Sequence, residues 1–360
     1  MKPLHETPSG KPRARALGIN FPGTPGPLNA ITDVAGVTVG YSTLIRGEGP
    51  RHVGKGPVRT GVTAILPRGR EGANVPCAAG SYSFNGNGEM TGLLWIEESG
   101  ELSTPITITN THSCGVARDA TIAWLVANKG MTQDWGLPVA AETYDGELND
   151  INGFHVQREH VFEALDKAAS GPIEEGSVGG GTGMLCFDFK AGSGTASRRV
   201  GDYTLGAFVQ ANFGRRPELT IMGRNIGAQM PGGELRGRPA GSIIVIIATD
   251  APLLPHQLKR LARRVPVGIA RTGGIGHNGS GDIFLAFSTA NAAALAGKAR
   301  QMDVIATAEA DDFFEATAQA TEEAILNSII AAETMVGADG NTAIGIDRER
   351  LRRLVSASAG

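Results

Sequence analysis

Residues 229–248 read QMPGGELRGRPAGSIIVIIA. Three glycines and two prolines fall in the first twelve positions, a composition that neither a helix nor a central strand survives. Residues 229–240 are therefore expected to form an exposed loop. The run IIVIIA at 243–248 is β-branched, apolar at every position and bounded by the loop, which predicts a strand buried on both faces. Gly241-Ser242 sits at the junction between the two.

The same texture extends in both directions. Runs at 61–67 (GVTAILP), 105–110 (PITITN), 138–143 (PVAAET), 203–212, 219–222 and 283–289 (IFLAFST) have strand character. Helices are expected after Ser113, taken as an N-cap, toward Gly130, and from 158 to 169 with Val161, Phe162 and Leu165 on one face. Another follows Pro255, with Leu258, Leu261, Ala262 and Val265 at i, i+3, i+4 and i+7. A long one over 312–336 carries Phe314, Ala318, Ile325, Ile329, Ala332 and Val336 on a stripe ended by Gly337. Strands apolar on both faces between striped helices imply layers, sheets inside and helices outside. Residues 1–28, rich in Pro, Gly and Arg, read as a loose arm before a single domain over 29–360.

Composition excludes several classes. The 33 basic and 36 acidic side chains leave a formal charge of −3 with no basic stripe, so nucleic acid is not an expected partner. No stretch approaches a membrane span, and the polar first fifteen residues contain no apolar targeting core. Cys77, Cys114 and Cys186 are far apart and form no CxxC pair, which fits free thiols in the cytoplasm and no metal site. The 51 glycines carry no period and argue for many tight turns.

Standard motifs are absent. There is no GxSxG elbow and no HExxH, and GGGTG at 179–183 lacks the GK[ST] ending of a phosphate loop, which favours close backbone packing there. His112, His256 and His277 read as local or surface residues, so neither a His-dependent triad nor a cofactor is expected. Ser242 then has two readings. It is a strand-start residue bonded to a turn, or it is a nucleophile that becomes an N-terminus by attacking the carbonyl of Gly241. In the second case its new α-amine, with an ordinary pKa of about 7.7–8.0, would be the base. Ser280 and Asp282 lie two apart in GSGD before a buried strand, either a turn cap or a hydrogen-bonded relay. Glu142 and Tyr144, at the end of PVAAET, form a strand-end turn or else a carboxylate for an ammonium and a donor for an oxyanion. Asn212 in QANFG is a turn residue or an oxyanion amide.

Taken together, NAITDVAGVTVGY at 29–41, FNGNGEMTG at 84–92, ITNTH at 108–112, ETYDGELNDINGF at 142–154, GGGTGM at 179–184, VQANFG at 209–214, GSIIVIIATDAPLLPHQLKRLARR at 241–264 and GSGDIFLAFSTAN at 279–291 resemble one family. It is the family of the L-aminopeptidase/D-amidase/D-esterase, which includes the β-peptidyl aminopeptidases. The resemblance runs from about residue 16 to the C-terminal helix. It implies an α+β fold, a four-layer αββα sandwich like that of N-terminal nucleophile hydrolases with different connectivity. It implies cleavage between Gly241 and Ser242 into fragments 1–241 and 242–360, with no cofactor. By the same resemblance Ser242 is the nucleophile, Ser280 and Asp282 assist and orient it, Asn212 and Tyr144 serve the oxyanion, and Glu142 receives the substrate's free amine. Substrates would be short peptides, amino acid amides or esters, and the assembly a homotetramer of processed units. His277 would line or cover the pocket. Three competing readings differ at identifiable residues. An acyltransferase of the ornithine acetyltransferase type would carry Thr at the junction, a nucleotide binder would need a Lys after GGGTG, and an inactive binding module would not need the Gly241, Ser242, Ser280 and Asp282 set.

Overall fold

The structure is a computed structural model that describes residues 3–128, 131, 133–235 and 241–356. In chain order the first strands are β1 (Thr38–Arg46), β2 (Val58–Leu66), β3 (Cys77–Gly86), β4 (Glu101–Leu102), β5 (Ile106–Asn110) and β6 (Val139–Thr143). Two short pairs follow the pattern of hairpins, β7 (Leu185–Cys186) with β8 (Phe189–Lys190) and β11 (Thr220–Ile221) with β12 (Arg224–Asn225). Between and after them come β9 (Ser193–Val200), β10 (Tyr203–Asn212), β13 (Gly241–Thr249) and β14 (Ser280–Ser288). The helices are α1 (Leu93–Ser99), α2 (Cys114–Ala127), α3 (Arg158–Asp166), α4 (Pro255–Ala262), α5 (Val265–Arg271), α6 (Ala292–Leu295), α7 (Ala310–Ile330) and α8 (Arg348–Ser356).

The strands build two stacked sheets, one ordered β1-β2-β5-β6 and the other β4-β3-β14-β13-β10-β9. Helices α2 and α3 cover the first sheet, α4 and α7 cover the second, and α5 packs on α7. This is the four-layer αββα sandwich. The run IIVIIA shows why the layers form. Side chains alternate along a strand. Ile243, Val245 and Ile247 accordingly enter the core beneath the helices, while Ile244, Ile246 and Ala248 enter the core between the sheets. Both cores are lined chiefly by apolar side chains, so the strand between them carries an unbroken apolar run. Truncating Ile246 to Ala should cost about 2–5 kcal/mol.

Four expectations need correction. The arm is not loose. Ala14, Leu17, Ile19 and Phe21 are buried in the helix-side core. Arg13 pairs with buried Glu175 at 2.6 Å, and Arg15 and Arg198 both hold Glu323 of α7. Burial alone would raise the Glu323 carboxyl, but the two arginines and Asn29 outweigh it and hold it below its usual range. Arginine at a Pro/Gly-rich terminus signals docking here, because the guanidinium fork can satisfy a buried carboxylate bidentately. Second, Ser113 does not cap α2. The side chain of Asn110 accepts its N–H at 3.1 Å. Third, the helix after Pro255 ends at Ala262 and a new one starts at Val265, with Pro266 in its first turn. Fourth, α7 ends at Ile330 rather than near Gly337, and Val336 lies half exposed in a short strand pair. The loop expected at 229–240 has irregular backbone from 230 to 235, and residues 236–240 lie outside the described ones.

Candidate active site

Ser242 is the second residue of β13, flanked by β10 on one side and β14 on the other. The antiparallel register sets it opposite Asn212, and the parallel register beside Gly281. Its hydroxyl donates to the carbonyl oxygen of Gly241 at 2.6 Å and accepts the N–H of Gly281 at 3.3 Å. The hydroxyl thus lies against the carbonyl group of its own preceding peptide, the two groups that an N-to-O acyl shift must join. Gly241 has a steric reason to be glycine. A Cβ there would stand 2.4 Å from the Asn212 carbonyl oxygen and 2.7 Å from the Phe213 Cα.

Ser280 and Asp282 begin β14, in register with Gly241 and Ile243, so they flank the Gly241–Ser242 peptide. Ser280 Oγ donates to Asp282 Oδ1 at 2.6 Å, and Asn85 Nδ2 donates to Oδ2 at 2.9 Å. Burial pushes the Asp282 carboxyl above its ordinary range, against the pull of Ser280, Asn85, the Ile243 N–H and the nearby His277. His277 covers this side and does not line the cavity described next. Its Nε2 lies 3.1 Å from Glu218 Oε1, and its carbonyl accepts the Ser280 N–H.

A cavity of about 780 Å³ opens over Ser242. Glu142, Tyr144, Asn212, Gly241 and Ser242 line it, whereas Ser280 and Asp282 lie behind it. The strand end of β6 carries Glu142 into the wall. Its Oε1 accepts the N–H of Glu89 at 2.8 Å and its Oε2 accepts the hydroxyl of Thr111. Burial raises this carboxyl too, and two neutral donors only partly offset the cost of its charge. A cation placed in the cavity would remove that penalty. Asn212 presents its Oδ1 to the N–H of Leu185 at 3.0 Å and its Nδ2 to the carbonyl of Tyr144 at 2.8 Å. Tyr144 is partly exposed, with its hydroxyl over Gly146.

Several partners in this geometry carry no signal of their own in the sequence. Thr111, the Glu89 N–H, the Gly281 N–H and Asn85 each hold a candidate group in place. Glu89 and Glu147 add two more carboxylates to the cavity wall. Thr111 and Asn85 lie inside ITNTH and FNGNGEMTG, so those motifs are the signal that could have found them. The GGGTG stretch does pack backbone against backbone. It contains a buried 3₁₀ turn, and a Cβ on Gly180 would stand 2.4 Å from the Ile108 carbonyl oxygen.

Comparison with known proteins follows the same geometry. Residues 29–343 match the profile of peptidase family S58. A β-peptidyl aminopeptidase, BapA, from Sphingosinicella microcystinivorans is 52% identical over 365 residues, covering 96% of this chain and 92% of the relative. A second, from Sphingosinicella xenopeptidilytica, is 45% identical, covering 96% and 91%. Among solved structures, the L-aminopeptidase D-Ala-esterase/amidase of Ochrobactrum anthropi superposes with a TM-score of 0.90 at 49% identity, covering 96% of this chain and 99% of that one. It is described as a prototype for the serine aminopeptidases and a new variant among the Ntn hydrolase fold.

Proposed function

We propose, from the premise that this chain belongs to peptidase family S58 and is an aminopeptidase, that it activates itself by cleavage at Gly241–Ser242 and then uses Ser242 as an N-terminal nucleophile. The observation that carries this reading is the hydroxyl of Ser242 bonded to the Gly241 carbonyl at the edge of a cavity walled by Asn212, Tyr144 and Glu142.

In the first reaction Ser242 Oγ attacks the Gly241 carbonyl carbon and the C–N bond breaks to leave an ester. The departing nitrogen takes up the hydroxyl proton and becomes the free α-amine of Ser242, and water then hydrolyses the ester to the Gly241 carboxylate and the Ser242 hydroxyl. In the second, that amine takes the hydroxyl proton as Oγ attacks the substrate carbonyl, and returns it to the leaving amine. Water resolves the acyl-enzyme. Ser280 and Asp282, on the strand paired with Gly241–Ile243, orient the amine and set its protonation. The amide of Asn212 and the hydroxyl of Tyr144 stabilise the oxyanion, an effect worth about 10²–10³ in rate per donor. Glu142 receives the substrate's ammonium, which would be costly to bury without a counter-charge.

Substrates are short peptides, amino acid amides or esters with a free amine. Two relatives at 52% and 45% identity named for β-peptides favour β-amino acids at the N-terminus as a second specificity. We further propose a homotetramer of processed units, supported by exposed apolar side chains that include Leu94, Val126 and the paired rings of Trp95 and Trp135, and a cytoplasmic location, supported by three buried free thiols. Parallel assays on p-nitroanilides of L-Ala, D-Ala and β-alanine, each free and N-acetylated, test the reading. Free-amine forms should be turned over and acetylated ones not. Equal turnover of both forms would make the enzyme a general amidase.

A further inference from the structure

Lys190 is wholly buried at the end of β8, yet none of the chemistry above uses it. Among the described residues its ammonium meets two carbonyls and no carboxylate. Nζ donates to Ala191 O at 2.6 Å and to Met184 O at 3.0 Å. An unpaired buried lysine is costly, and burial, with some repulsion from Lys11, brings its pKa down to about 7.

What the lysine holds gives that cost a purpose. The Met184 carbonyl belongs to the same peptide group as the Leu185 N–H, and that N–H donates to Asn212 Oδ1. That carbonyl also accepts the Ala191 N–H at 3.0 Å, and the charged Lys190 donor adds to the polarisation of the peptide and strengthens the bond its N–H makes. The Asn212 amide accepts the Leu185 N–H and donates to the Tyr144 carbonyl, two bonds that together set which way its oxygen and nitrogen face. The β7–β8 hairpin is tied to the same wall from the other side, because Thr143 Oγ1 donates to the sulfur of Met184.

We infer that Lys190 is a positioning residue for the oxyanion site, acting through the Met184–Leu185 peptide to fix the amide of Asn212 at the cavity wall. This rests on the reading of Asn212 as an oxyanion donor.

The test is a double-mutant cycle on the full-length chain with Lys190→Met, Asn212→Ala and both together, measuring Tm, kcat and KM on a free-amine p-nitroanilide. Methionine fills a similar volume and removes a buried charge, so Tm should stay level or rise. The expected result for K190M is a fall in kcat on the order of tenfold, less than the ~10²–10³ of a direct donor, with KM within about twofold. Added to N212A, it should cost little more. A folded K190M with wild-type kcat, or a full additive loss in the N212A background, overturns the inference while leaving Asn212 in place. Wild-type kcat in N212A overturns the oxyanion reading and the inference together. Should the Met variant not fold, Lys190→Leu, which also lacks a donor, replaces it under the same criteria.

Discussion

The Gly241–Ser242 peptide divides two unlike regions. In front of it lies an open cavity with Glu142, Tyr144 and Asn212 on its wall; behind it lies the closed group of Ser280, Asp282 and Asn85. Each side has one carboxylate raised by burial, and the difference is in what surrounds it. Glu142 has two neutral donors and adjoining space that a cation can occupy. Asp282 has a serine, an asparagine, a backbone N–H and the nearby His277, and it is not among the residues lining the cavity over Ser242. A carboxylate facing space is suited to binding a charged group, and one sealed behind the nucleophile is suited to holding protons in order. On the proposed roles, one end of the fold separates recognition from proton management.

The comparison breaks most completely if its hinge is removed. Ser242→Ala should abolish both processing and turnover, since one hydroxyl serves both, and a wild-type rate of amide hydrolysis in that variant would place the nucleophile elsewhere. Next in size is the closed side. Asp282→Asn should keep the fold and lower kcat by a factor on the order of 10²–10⁴; a change confined to KM would assign Asp282 to the pocket instead.

The open side should give a smaller effect of a different kind. Glu142→Gln should lower kcat/KM for free-amine substrates by roughly 10- to 100-fold, as expected for loss of a charge-assisted contact. It should leave self-cleavage intact, because the precursor's scissile bond carries no such amine. The wild-type kcat/KM should also fall as pH drops through the raised pKa of Glu142, since the neutral acid cannot pair with an ammonium; the Gln variant should lose that step while keeping the limb set by the Ser242 α-amine and Asp282. An unchanged pH profile would return Glu142 to a structural role.

The smallest effect concerns stability beneath the cavity wall. Asp145, next to Tyr144, is fully buried and its carboxyl is pushed up to about 7 from an ordinary 3.8. The folded state therefore favours the protonated form. Its stabilising contribution is complete below the unfolded value and is lost as pH rises through about 7. Urea melts should show the wild type losing on the order of 1–4 kcal/mol between pH 4 and 8 at this site, and Asp145→Asn should flatten that dependence. The same slope in both proteins would show that Asp145 does not titrate in this window.

How much of this was readable from sequence follows from what each element is made of. The strand at 243–248 was legible because burial on both faces favours an unbroken apolar run. The strands Cys77–Gly86 and Ser193–Val200 were not, because small and polar residues pack there against close backbone and carry no alternation. Ser242 stood out through its loop-to-strand junction, and Ser280 with Asp282 through their spacing in a glycine-rich turn. The N–H groups of Gly281, Glu89 and Leu185 could not stand out, since every residue but proline supplies one and only the register aims it. Lys190 gives no signal for a related reason. A lysine reads as surface until the hairpin that encloses it is known.

The central claim is tested most directly by the mass and N-terminal sequence of the purified, active protein. Two fragments are predicted in equal amounts, residues 1–241 and 242–360, the second beginning Ser-Ile-Ile-Val. A fully active single chain of 37.3 kDa would contradict it.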